Sequence, residues 1–276
     1  MKILHMIDNY RILCKEAEET EKFEAYKAYT QKYRAFFQGV FRYLYCQPIE
    51  RLRPIIEQTD FQKLLRTAED NYKQGMADYA AAAVDRFAKS MHADFDFTFL
   101  LGLELSNIGG CAIPADEGLP ILYIGIDRPL SKEWLDLFVP HEMTHMLRHH
   151  IIRDRSSETV LSRAIEEGLA SYASLWARKP EWNRINVAKA LAVSEAQSDN
   201  LMKNTDTLME KLIMDKDKPI SPETMKEYFT AASVDEPFPV VGYYVGLYLT
   251  HLSVKNGAEL ETLVSMPGEE LAKAWL

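Results

Sequence analysis

The sequence predicts a predominantly helical α+β fold with one small sheet. Apolar residues recur at helical spacing through most of the first ninety residues and again from Ser131 onward. Two tracts between them, "DFDFTFLLGLEL" and "ILYIGID", have strand character. A segment dense in glycine, proline and aspartate separates the two strand tracts, and there is no internal repeat and no low-complexity tract.

Taken in order, residues 16–46 put Phe23, Tyr26, Tyr33, Phe37, Phe41 and Leu44 at helical spacing, and Cys46-Gln47-Pro48 ends that segment. A second helical stretch runs from about Asp60 to Met91, where alanines at 77 and 80–83 keep propensity high. The first ninety residues thus read as all-helical, their aromatic stripe as core. The character changes at about His92. "DFDFTFLLGLEL" alternates polar and apolar residues and then becomes continuously apolar, "SNIGGCAIPADEGLP" reads as loop, and "ILYIGID" (residues 121–127) reads as a second strand, β-branched and aromatic. A helix capped by Ser131 follows, to about His150. Further helices are expected near 157–178, 184–213, 221–231 and 239–255, with a short one at the C-terminus and breaks at "ARKPEW", "DKDKPIS" and "VDEPFP". The organisation expected is an N-terminal helical region over 1–92 and a region over 93–276, forming one compact unit.

At 276 residues the chain can bury a substantial core, and 47% hydrophobic with 26% charged residues is the composition of a folded protein. A net charge of −9 gives no electrostatic footprint for a nucleic-acid partner. Cys14, Cys46 and Cys111 are odd in number and widely spaced, so they read as buried free thiols in a reducing cytosol. The opening "MKILHMIDNYRILCKEAEE" lacks the layout of a signal peptide. The longest uncharged run, residues 237–254, holds three tyrosines, two glycines, a threonine and a histidine, which suits a buried helix better than a lipid-spanning one. The expectation is a cytoplasmic protein with no membrane partner.

Chemistry concentrates in "VPHEMTHMLRHH", residues 139–150, which holds four of the seven histidines. Helical positions i and i+4 lie roughly 40° apart on one face, so His141 and His145 can present ring nitrogens to one ion. Glu142 falls at the flank, where it reaches a water in an open fourth position without being a ligand. Zinc brings the pKa of such a water to about 7, and a carboxylate beside it can take the proton as the water attacks a carbonyl carbon. Two histidines and a glutamate inside an apolar helix are costly to bury without a partner such as a metal. Pro140 either kinks this helix or starts it, and both leave 141–145 helical.

A third ligand is needed. The continuation H-E-x-x-H-x-x-G-x-x-H is excluded, because Arg148 and Ile151 occupy its glycine and last histidine positions. His149 lies one turn beyond the pair and His150 points elsewhere, so both read as bystanders. "SETVLSRAIEEGLASYAS", residues 157–174, is the better source: a second helix carrying Glu166-Glu167-Gly168-Leu169-Ala170. Neighbouring helical positions diverge by about 100°, so only one of the two glutamates can face the metal.

HEMTH followed by EEGLA resembles the gluzincin arrangement, in which a glutamate on the next helix completes a His-His-Glu zinc site. Aminopeptidases of that class carry the ligand directly before a glycine, which implies Glu167 as the ligand here and Glu166 as its neighbour. Strand, Gly-rich loop, HExxH, E-G-L-A and the later G-Y-Y-x-G also resemble a poorly characterised bacterial family of predicted zinc-dependent proteases, over roughly residues 95–255. Thermolysin-like enzymes place an aspartate four residues after the ligand glutamate, where this chain has Ser171.

The resemblance implies a zincin-like fold in which an edge strand precedes the HExxH helix and pairs with an extended substrate. "ILYIGID" stands in that place, and Gly109-Gly110 would let a substrate chain approach. It also favours Tyr243 or Tyr244 as hydrogen-bond donor to the developing oxyanion, with His251 a weaker candidate. The function implied is hydrolysis of a peptide bond in a peptide or protein substrate. One zinc ion would sit on His141, His145 and Glu167, with Glu142 as general base and then proton donor to the leaving amine. The rival readings are a metallohydrolase acting on a non-peptide amide or similar small substrate, and a non-enzymatic helical interaction or regulatory protein with an accidental or relic HExxH.

Overall fold

The protein's structure, a computed structural model, describes residues 1–114, 118–152, 158–178, 181–230 and 236–275. The expected breaks at "ARKPEW" and "VDEPFP" lie partly outside them. The chain divides into two units, Met1–Leu135 and Asp136–Leu276.

The first unit opens with β1 (Lys2–His5), then α1 (Ile7–Glu19), α2 (Lys22–Lys32) and α3 (Arg34–Gly39), which continues into a π-helical turn at Val40–Leu44. A 3-10 turn at Ile49–Leu52 leads to α4 (Arg53–Gln58), α5 (Phe61–Lys73) and α6 (Met76–Ser90). The strands β2 (Thr98–Gly102), β3 (Gly110–Ile113) and β4 (Ile121–Gly125) follow. The four strands form one mixed sheet in the order β1-β2-β4-β3. β1 and β4 both run parallel to β2, in registers Lys2↔Thr98 and Thr98↔Ile121, and β3 runs antiparallel to β4.

The predominantly helical α+β class is therefore observed, with four corrections to the expected detail. "ILYIGID" supplies β4, but β4 is interior, paired on both sides, so its backbone is already satisfied and cannot take up a substrate strand; the edges are β1 and β3. The first ninety residues are not all-helical, since β1 pairs with β2 across the expected boundary at 92/93. Gly110–Ile113, inside a tract read as loop, is β3. Both missed strands have four residues, too few to display an alternation. The long helices are also subdivided. Gly75, at φ 70°, separates α5 from α6 in a left-handed conformation that glycine adopts freely.

The aromatic stripe is core over its first part only: Phe23, Tyr26 and Phe37 are buried, Tyr33 and Phe41 are partly exposed, and Leu44, in the π-helical turn, is exposed. Tyr26 stacks on Phe61 at 5.9 Å and Phe36 on Tyr123 at 4.5 Å. Of the three thiols expected to be buried, Cys14 and Cys111 are buried and Cys46 is exposed. The ends of β2 and β4 are joined by buried carboxylates. Asp127 Oδ2 accepts from the backbone N–H of Glu104 (2.8 Å) and Ser106 (3.0 Å), and Glu104 accepts from the Tyr45 hydroxyl. Burial pushes the Glu104 carboxyl up to about 7.

α7 (Lys132–Ile151), with the Ser131 hydroxyl accepting from Trp134 N–H at 3.1 Å, crosses the division between the units. The second unit continues with α8 (Val160–Trp176), α9 (Arg184–Leu191), α10 (Glu195–Lys203), α11 (Thr205–Met214) and α12 (Pro222–Phe229), then α13 (Val241–Lys255), α14 (Leu260–Ser265) and α15 (Gly268–Trp275). The helix expected over 184–213 is thus three, broken where Ala192 turns left-handed (φ 52°) and again at Asn204.

α8 and α13 touch through their backbones. A Cβ placed on Gly168 would collide with the main chain of Gly246, and one on Gly246 with the carbonyl oxygen of Ala164. Among the described residues no helix is long and apolar enough to cross a membrane.

Candidate metal centre

α7 runs helical through Pro140, which stands in its interior rather than at its start. The ring deprives the helix of one donor. Two hydroxyls bond to carbonyls around it: Thr144 Oγ1 donates to Pro140 O at 2.8 Å, and Ser174 Oγ of α8 donates to Leu137 O at 2.7 Å. One turn of this helix separates His141 from His145, and their Nε2 atoms lie 3.2 Å apart.

α8 is fixed at its start. Thr159 and Ser162 form a reciprocal capping box, Thr159 Oγ1 accepting from Ser162 N–H and Ser162 Oγ from Thr159 N–H. The Val160 and Leu161 N–H groups, left without intrahelical partners, donate to the carbonyls of Lys218 and Lys216. Two turns on, Glu167 enters the interior and puts Oε2 at 3.5 Å from His141 Nε2 and 3.3 Å from His145 Nε2. Three ligands bound tetrahedrally at about 2.0–2.1 Å stand about 3.3–3.4 Å apart. The observed triangle, with edges of 3.2, 3.3 and 3.5 Å, has that size. His141, His145 and Glu167 can therefore hold a metal ion, and among the described residues no other His, Cys, Asp and Glu side chains converge in this way.

The electrostatics suit a cation. Glu167 is only 6% exposed, and its Oε2 accepts no hydrogen bond, an acceptor left over where a cation would sit. Burial by itself would raise the Glu167 carboxyl; the facing histidines and Arg163 outweigh it and hold the group well below the usual carboxylate range. For His145 burial opposes the charged form, and the facing Glu167, with Glu142 and Glu166 adding to it, raises the pKa nonetheless. Glu142 is buried, and its charge acts on both His145 and Tyr243, yet it is not one of the converging ligands.

The adjacent glutamates have different partners. Glu166 forms a two-pronged pair with Arg148, at 2.8 Å from Nε and 2.7 Å from NH2. Arg148 is buried and also donates to the carbonyls of Val264 (2.9 Å) and Met266 (3.1 Å) at the end of α14. Glu167 Oε1 instead lies 3.0 Å from Arg163 NH2. Neither arginine was singled out in the sequence. Arg163 had a visible signal, standing one helical turn before Glu167; Arg148 showed only as the residue that excluded a glycine.

The two tyrosines separate. Tyr243 is half-buried beside the cluster; burial first, and then the Glu167 charge, raise its pKa. Tyr244 faces the other way, its hydroxyl bonded to Thr205 and its ring stacked near Tyr248. His251 stacks on Trp182 at 4.0 Å and 12°, away from the bonds of the cluster, and burial lowers its pKa. His149 stacks beside His145 at 6.4 Å without joining the converging ligands, and His150 is exposed. The Ser171 hydroxyl is buried and forms no hydrogen bond.

The chain matches no protein-family model, no curated protein and no solved structure.

Proposed function

We propose that the chain is a gluzincin-like, zinc-dependent peptidase in which His141, His145 and Glu167 hold one zinc ion and Glu142 is the general base. The observation that carries this reading is the triangle of His141 Nε2, His145 Nε2 and Glu167 Oε2, with edges of 3.2–3.5 Å and an unbonded buried oxygen at one corner. A zinc ion there supplies Lewis-acid polarisation of a carbonyl and an acidified water. Glu142, one step round α7 from His141, would serve as the general base toward the attacking water and then as the proton donor to the leaving amine. Tyr243, close enough to Glu167 to feel its charge, donates a hydrogen bond to the oxyanion as it forms. A tyrosine kept protonated by burial is suited to donate.

Elemental analysis of untagged protein should find close to one zinc per chain, and a peptide-library digest should give cleavage products. Glu142→Gln should retain the zinc and lose turnover by about 10²-fold or more. No zinc bound at saturating zinc would sink the proposal, whereas bound zinc with no peptide cleaved would move the substrate to a small amide.

A further inference from the structure

We infer that Arg163 positions the ligand carboxylate of Glu167, committing it to bind through a single oxygen; this rests on the proposed metal site. The guanidinium spans two carboxylates on the same stretch of chain: NH2 lies 3.0 Å from Glu167 Oε1, and NH1 lies 3.0 Å from Glu158 Oε1. The two oxygens of Glu167 are thereby divided in role. Oε1 faces the arginine, and Oε2 faces the histidines and is otherwise unbonded. A guanidinium is a rigid planar fork. With one prong engaged by Glu158, near the capped start of α8, the other fixes the carboxylate rather than following it. Ser171, one turn after Glu167, forms no such bond, so the orienting group stands on the turn before the ligand instead.

Two effects compete. A cation beside a ligand weakens the pull of that ligand on a metal, whereas an ordered ligand binds better than one that must be ordered. Glu158 faces the same guanidinium and offsets its charge locally, so the ordering effect dominates. Outer groups that orient metal ligands are typically worth 10–100-fold in affinity.

The test measures zinc affinity by chelator competition on the full chain, with the thermal unfolding of the zinc-free protein as the control for folding. Arg163→Met should weaken zinc roughly 10–100-fold, with Arg163→Lys intermediate. Visible absorption of the Co(II)-loaded Arg163→Met protein should shift as the freed Oε1 joins the coordination. A folded Arg163→Met that binds zinc as tightly as wild type overturns the inference, even if its melting temperature falls. Should that variant not fold, Glu158→Ala decides: it removes the outer acceptor and leaves the arginine charge unbalanced, so zinc should weaken several-fold, and unchanged affinity overturns the inference. A wild-type chain that binds no zinc overturns the metal site itself, a different result from equal affinities in wild type and variant.

Discussion

At the scale of single residues, the two adjacent glutamates do unlike work. Glu166→Ala would strand the buried Arg148, whose remaining bonds are to carbonyls of α14. It should cost about 3 kcal/mol or more in urea unfolding while zinc stays bound. Glu167→Ala removes one corner of the triangle and should abolish stoichiometric zinc. The reverse pattern of zinc loss would exchange the two roles. His141, Glu142 and His145 were legible because their spacing is local to one helix. Arg148 was not, because its partners lie 18 and more than a hundred residues away and no pattern in one helix encodes them. The choice between Tyr243 and Tyr244 was likewise closed to the sequence, since neighbours on a helix diverge by about 100° and only packing sets which way each one faces.

At the scale of elements, Gly168 and Gly246 decide how α8 meets α13. Glycine to alanine inside a helix ordinarily gains about 1 kcal/mol. Here the sign should reverse, because a methyl group at either position meets main-chain atoms that cannot rotate away. Gly246→Ala should lose about 3 kcal/mol or more, as overpacked sites do, or fail to fold; stabilisation in urea unfolding would refute the crossing. Gly168 and Gly246 are visible in the sequence, but nothing local to either helix says that the two meet. Strands followed the same division. β2 and β4 announced themselves by apolar runs, whereas β1 and β3 take their strand character from pairing with those two.

At the scale of the molecule, the sheet binds the first residues of the chain to β2, and the first of the two units runs to Leu135. The first unit also carries a pH dependence. Glu104 titrates at about 7 when folded, because burial penalises its charge, against an ordinary 4.5. Below 4.5 both states are protonated; between 4.5 and 7 the folded state alone keeps the proton. The stability associated with that proton is therefore lost as pH rises through this window and levels off above it. A rise from 4.5 to about 7 corresponds to about 3 kcal/mol. Urea midpoints followed by tyrosine fluorescence should fall between pH 5 and pH 7.5, and Glu104→Gln should flatten the slope; an equal slope in that variant would assign the effect elsewhere.

The contact at Gly168 and Gly246 also sets a clock. Glu167 adjoins one glycine and Tyr243 stands one turn before the other, so any sliding of α13 along α8 would change the distance between them. Main chain pressed on main chain leaves no side chain to flex as a bearing, and separation requires opening the middle of α8. Backbone amides at 165–169 and 244–248 should then exchange with deuterium only through the largest openings of the second unit, orders of magnitude more slowly than those of the short α12. Glu167 and Tyr243, the proposed ligand and the proposed oxyanion donor, would keep their spacing for as long as that contact stays closed.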